Sequence, residues 1–249
     1  MGQIAYSAAT GERLEAFSVS DDTWSELTQA PKGSLLMPRT NWPAMAKTSL
    51  RGLRFFSHYS GYPGQLPAPE SYAHTRLKVD IVKALRALGY EADIEVYGKD
   101  TEGAEWIADV LATGPDGSRT AFEVQLSSQH LDDFLRRTER YTRSGVRVCW
   151  IMSEKPVSLR LAKAIHHRNP DYHTRTGRFL GDSEFIIPLS LAIEDKNAYP
   201  DPLPLLRFGR GKLHQRLNLS EAVDGVMRGF PRWSEPDWIW DISSGLRNA

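Results

Sequence analysis

The sequence predicts an α/β fold, and three features of the chain carry that prediction. Residues 105–113 and 119–126 each read as a strand on either side of Gly114-Pro115-Asp116-Gly117-Ser118, an antiparallel hairpin joined by a turn. Upstream, Leu77, Ile81, Leu85 and Leu88 fall in one stripe at about 100° per residue, as on the buried face of a helix. Downstream, a helical stretch over residues 129–143 leads into the apolar run Val146-Arg147-Val148-Cys149-Trp150-Ile151-Met152, which reads as a buried strand. The order helix, three strands, helix, strand builds a sheet covered by helices.

Taken along the chain, residues 1–69 hold short β-like pieces broken by Gly and Pro, ending in the linker-like cluster 61–69. A helix is predicted from Glu70 to Leu88, stopped by Gly89, a common helix-ending residue. Glu91 to Tyr97 forms a short strand, the hairpin follows, and Gly145 closes the second helix. Beyond Ser153, residues 157–167 look helical, 185–193 and 203–208 look like strands, and 220–228 looks like a helix followed by Gly229 and Pro231. This divides the chain into a small β-rich N-terminal domain (1–66), the α/β core (67–154) and a mixed α/β C-terminal region (155–249).

The 249 residues carry 31 Lys or Arg against 31 Asp or Glu, so no global charge draws the protein to nucleic acid, although a local basic patch still can. The single cysteine, Cys149, excludes an intrachain disulfide and predicts a buried thiol in a reducing compartment. No apolar run reaches the roughly 20 residues that span a bilayer. The first residues lack a signal-peptide pattern, and Tyr6 spoils a myristoylation-like start. These features predict a cytoplasmic protein without a membrane partner.

If the hairpin is centred on Asp116, residues whose numbers sum to 232 face one another, which sets Asp109 opposite Glu123. Directly opposed like charges, with β-carbons roughly 5 Å apart, destabilise a sheet, whereas a divalent cation held by their oxygens turns the pair into a site. A register shifted by one residue puts both on a solvated face instead. The neighbours favour the site: Ile107, Leu111 and Ala121 share the carboxylate face, Trp106, Val110, Phe122 and Val124 the other, and both faces look buried. On the preceding helix Glu70 and His74 fall on the core-facing stripe with Lys78 at its edge, which suggests that this end overlooks a polar cavity. Taken singly, Glu70 also suits a helix cap and Lys78 a snorkelling side chain. Arg137 and Tyr141, four apart on the second helix, suit phosphate and base contacts, or an ordinary solvated helix offset by Asp132, Asp133 and Glu139.

These motifs resemble the PD-(D/E)XK nuclease superfamily and, within it, the competence protein CoiA-like nuclease family. The superfamily core of helix, three strands, helix and strand carries an Asp on its second strand and Glu-x-Lys on its third, matched here by Asp109 and Glu123-Val124-Gln125. The CoiA-like Glu-Ser-x-x-His-x-x-x-Lys helix is matched by residues 70–78, its Ala-Asp-Val-Leu strand by 108–111, its Glu-x-Gln-x-Ser strand by 123–127, and its Arg-x-x-x-Tyr helix by Arg137 and Tyr141. The chain departs from the superfamily in having Gln125 for the lysine, which the CoiA-like pattern tolerates. It also departs upstream, where the family often has Cys-Pro-x-Cys and His-Phe-x-His around a zinc. Here stand Met37-Pro38-Arg39-Thr40 and Phe55-Phe56-Ser57-His58, so no structural zinc with four ligands is expected.

The resemblance implies metal-dependent hydrolysis of DNA phosphodiesters in DNA uptake, recombination or processing. Asp109, Glu123 and the Val124 carbonyl would hold Mg²⁺ or Mn²⁺, and Glu70 would bind a second ion or a water of the first. Gln125 would orient the nucleophile, Lys78 would offset charge on phosphate, and His74, Arg137 and Tyr141 would position the strand. Two rival readings are a weakly cutting nucleic-acid-binding accessory of recombination and a nuclease component of a defence or mobile-element system. Other features carry less: His166, His167 and His173 lack a carboxylate partner at ligand spacing. Gly209-Arg210-Gly211-Lys212-Leu213 lacks the full phosphate-loop pattern, and Trp233, Trp238 and Trp240 anchor the C-terminal tail.

Overall fold

A computed structural model describes residues 2–65, 69–195 and 197–243; the domain boundary expected at residues 66 and 67 lies outside them. The chain divides into two compact units, Met1–Tyr72 and Ala73–Ala249.

The first unit contains β1 (Ile4–Ser7), β2 (Arg13–Glu15), helix α1 (Asp21–Gln29), β3 (Leu35–Leu36), β4 (Ala44–Thr48) and β5 (Arg54–His58). Strand β1 lies between β2 and β3, and β4 pairs with β5 as a hairpin. Helix α1 was not expected in a stretch read as β-like pieces. It starts where the Ser20 side chain accepts the Thr23 N–H, with Asp21 and Asp22 in its positive first turn. Its one buried residue, Trp24, packs edge-on against Phe56 at 5.4 Å and donates to Thr48 at 2.9 Å. Ala5, Leu35, Met37, Ala46 and Phe56 complete a small apolar core.

The second unit opens with α2 (Tyr72–Ala87), β6 (Glu91–Lys99), β7 (Glu105–Thr113), β8 (Arg119–Gln125), α3 (Leu131–Arg143) and β9 (Val146–Ser153). There follow α4 (Leu159–Arg168), α5 (Pro170–Thr176), β10 (Ile187–Leu191), β11 (Leu206–Phe208), β12 (Gln215–Leu217), α6 (Leu219–Met227), β13 (Pro231–Ser234) and β14 (Asp237–Trp240). Strands β6 to β12 form one seven-stranded mixed sheet in the order β12-β11-β10-β9-β8-β7-β6. The sheet therefore runs on past residue 154 through β10, which pairs parallel to β9. No described helix is long and apolar enough to cross a membrane.

On α2, Leu77, Ile81 and Leu85 are buried as the stripe predicts, but Leu88 lies beyond the helix and is 41% exposed. Gly89, at φ 87°, takes the left-handed conformation that ends the helix cheaply. On α3, Leu131, Phe134, Thr138 and Tyr141 face inward. Trp150 of β9 fills the space beneath them, packing on Phe134 at 4.6 Å and donating to Thr138 at 3.0 Å. Cys149 is buried, and burial pushes its thiol pKa well up, as suits an inert core residue.

Candidate functional site

The β7–β8 ladder pairs Val110 with Phe122, Leu111 with Ala121, Ala112 with Thr120 and Thr113 with Arg119. These are the pairs expected from a turn centred on Asp116. The ladder ends at Val110↔Phe122, just short of Asp109 and Glu123. On the other side of β7, pairing with β6 runs Ile94↔Val110 and Val96↔Ala108 but skips Glu95, whose φ is +57°. Asp109 thus sits where β7 loses its regular rungs on both sides, and the alternation of faces reverses there. Trp106 and Ala108 border the same core cluster as Leu111 and Ala121. This corrects the expectation that Ile107, Leu111 and Ala121 share one buried face: Ile107 is 43% exposed. The reason is the broken pleat, because period-two alternation holds only while the strand stays regular.

The freed backbone polar groups are satisfied by site residues. Asp109 Oδ2 accepts the Val124 N–H at 2.8 Å and lies 3.3 Å from His74 Nε2. The same His74 nitrogen lies 3.1 Å from the Val124 carbonyl oxygen. Lys78, one turn further along α2 and only 1% exposed, places Nζ 3.1 Å from Glu95 and 3.8 Å from Asp109 Oδ1. Glu70 stands two residues ahead of α2. Among the described residues, Glu70, His74 and Asp109 each offer a ligand atom, all within 4.8 Å of one another.

Glu123 is fully buried and stands apart from that trio. Its carboxylate accepts the Tyr141 hydroxyl and an Arg137 N–H. Tyr141 also lies 3.0 Å from the Ile107 carbonyl, and the Arg137 guanidinium lies 4.7 Å over the Trp150 ring. The Gln125 amide donates to the Ser127 carbonyl at 2.6 Å, and its oxygen is 3.5 Å from Arg137.

The two carboxylates are pushed in opposite directions. For Asp109, burial favours the neutral acid, but the His74 hydrogen bond, the Lys78 charge and the Val124 N–H outweigh it and hold the carboxyl below its usual range. For Glu123, burial and then the Asp109 charge dominate over Arg137 and Tyr141, and the pKa is pushed up to about 7. The Tyr141 phenol is raised by burial and by Glu123.

All nine residues singled out from the sequence are therefore found on α2 and the residues just before it, β7, β8 and α3. Glu70, His74, Asp109, Lys78 and the Val124 carbonyl gather on one side, and Glu123, Gln125, Arg137 and Tyr141 form a second group. Sequence reasoning missed Glu95, which it read only as part of a short strand from Glu91 to Tyr97. A lysine on a core-facing stripe was the available signal, since a buried ammonium needs acidic partners. Trp150 was read only as part of a buried strand, yet it supports Arg137.

The donor set suits a divalent cation. An octahedral ion with ligands at about 2.1 Å spaces neighbouring ligands about 3 Å apart, close to the 3.1 and 3.3 Å found at His74. A large mixed sheet with covering helices, and an acid-imidazole cluster beside β7, are consistent with a nuclease-like α/β domain. Residues 70–177 match the family described as "Competence protein CoiA, nuclease-like domain". The matched stretch contains every predicted site residue. A solved structure titled "Crystal Structure of Protein of Unknown Function AF1548" is 15% identical over 37% of this chain and 54% of that one, with a TM-score of 0.28. The chain spans about half the length of that protein, and likeness at this level carries no argument. No curated protein matches the chain.

Proposed function

We propose that residues 70–177 form a metal-dependent nuclease centre of PD-(D/E)XK topology that hydrolyses DNA phosphodiester bonds. The observation that carries this reading is the convergence of Glu70, His74 and Asp109 within 4.8 Å beside the Val124 carbonyl. Those four groups would hold the ion, and Glu123 would join them or a second ion once its hold by Arg137 and Tyr141 loosens. An imidazole among oxygen donors favours Mn²⁺ over Mg²⁺. When bound, the cation supplies Lewis-acid polarisation of a phosphoryl oxygen.

The remaining steps belong to the protein's own side chains. Lys78 keeps Asp109 ionised and, with Glu95 behind it, holds positive charge close to where negative charge grows on the phosphate. Tyr141 and Arg137 fix the orientation of Glu123. Gln125 orients the attacking water through its amide, which is already positioned by Ser127. The family's description as a competence protein supports a role in DNA uptake or recombination, and work on DNA in the cytoplasm accords with the lone reduced thiol of Cys149.

The test is cleavage of plasmid and single-stranded DNA with Mg²⁺, Mn²⁺ or EDTA, comparing wild type with Asp109→Ala and Glu123→Ala. Cutting that needs a divalent ion and falls by more than about a hundredfold in both variants supports the enzyme; cutting that survives either substitution overturns it. A second reading, an accessory that binds nucleic acid without cutting, is favoured by Gln125, which brings no positive charge to its position. Binding without cutting in every metal selects that reading.

A further inference from the structure

Between Lys155 and Arg178 the chain holds six Lys or Arg against one acid, Asp171, a local net charge of +5 in a protein whose total is zero. The charge is displayed outward. Helix α4 turns Leu161 and Ile165 into the core and leaves Arg160, Lys163 and Arg168 exposed. Helix α5 buries only Tyr172, and Arg175 and Arg178 are exposed. Gly177, at φ 69°, reverses the chain after α5. Phe179 then comes to rest between His166, at 5.0 Å edge-on, and His173, at 4.4 Å stacked. In spite of these two ring contacts Phe179 remains 56% exposed. An aromatic ring braced by two neighbours and still more than half exposed, inside a cluster of cations, is a stacking platform beside a phosphate track.

The strip begins at the margin of the candidate metal centre. Arg160 donates to the Ser128 hydroxyl at 2.7 Å, in the loop that follows Gln125. Arg168 pairs with Asp132 in the first turn of α3, the helix that carries Arg137 and Tyr141.

We propose that the exposed face of α4, α5 and Phe179 binds an unpaired polynucleotide strand, with phosphates on the arginines and lysines and a base stacked on Phe179. The inference rests on the nuclease reading in that it names the form of substrate delivered to that centre. Duplex DNA satisfies the cations but hides its base faces in the helical stack, whereas a single strand uses both the charge and the ring. An acidic protein surface or an anionic membrane would use the charge but offers no regular series of bases, one per phosphate, to Phe179.

The experiment is fluorescence anisotropy in EDTA, where binding is read without cutting. The probes are a labelled oligothymidylate, the same strand annealed to oligoadenylate, and anionic phosphatidylserine vesicles for comparison. The wild type should prefer the single strand. Phe179→Ala should weaken strand binding about tenfold and leave the duplex almost unchanged, while Phe179→Trp retains the preference. Arg175→Glu with Arg178→Glu should weaken both and flatten the salt dependence. These residues are exposed, and unchanged thermal unfolding verifies that the variants fold. Equal strand affinity in Phe179→Ala, a preference for duplex, or binding to vesicles alone overturns the proposal. If no metal supports cutting but the Phe179-dependent preference persists, the nuclease reading falls and this inference stands. If cutting is metal-dependent and Phe179→Ala leaves strand binding intact, the inference falls alone.

Discussion

In the first unit, the positions where the resembling family carries zinc ligands have been filled with packing: Met37 is buried in an apolar core, and Thr40 meets His58 in a single hydrogen bond of 3.1 Å. In the second unit, Lys78, Asp109 and Glu123 keep their charges or protons in an interior that apolar side chains would fill at less cost. Burying ionisable groups is expensive even when they are paired, and exchange for apolar residues is often neutral or stabilising. The contrast teaches that stability explains the first cluster and leaves the second unexplained; the second makes sense as an arrangement kept for chemistry.

The sharpest way to break this contrast is Lys78→Met, which leaves Asp109 and Glu95 facing each other without their shared cation. It should destabilise the second unit by about 3–5 kcal/mol in EDTA, measured by urea unfolding, with part of the loss recovered on adding Mn²⁺. A neutral effect would mean that the lysine is ordinary packing. Tyr141→Phe removes the hydroxyl from a fully buried Glu123 and should cost about 1–3 kcal/mol in the same assay. Because the residue acts through Glu123, it should lower turnover more than it changes the KM for DNA.

The pH response separates the two units by sign. Glu123 has its pKa raised from 4.5 to about 7. In that window the unfolded chain has released the proton that the folded chain still holds, so this group's contribution to stability falls as pH rises and levels off above the upper value. Glu123→Gln should abolish that component of the Tm profile, and Mn²⁺ should raise the wild-type Tm more above pH about 7 than below it. His58 has its pKa lowered, chiefly by burial, so below its ordinary 6.5 the unfolded chain takes up a proton first and stability falls as pH drops. The smallest expected effect is Thr40→Val, about 0.5–1.5 kcal/mol, with a slight change in acid sensitivity and none in metal-dependent cutting.

Much of the second unit was legible because its signals are local and repeat. The hairpin register followed from Asp116 at the centre of its turn, and the α2 stripe placed Leu77, Ile81 and Leu85 correctly against the sheet, whereas the burial of Tyr141 was not foreseen. What escaped was a backbone event: the left-handed conformation of Glu95 has no signature in a run that alternates as cleanly as Glu91 to Tyr97. Helix α1 escaped because nine residues with one buried side chain make little periodicity, although Ser20, Asp21 and Asp22 spell a helix start. The short strand β12 is specified by its sheet neighbours more than by its own three residues.

Val124 lends its amide to Asp109 and its carbonyl to His74, so part of the proposed coordination sphere would be written in main chain. Changes at codons 74 and 109 would retune ion preference, yet the carbonyl donor would survive every side-chain exchange at 124. Redesign for a softer metal must therefore begin on α2 and β7, with one hard oxygen accepted as permanent.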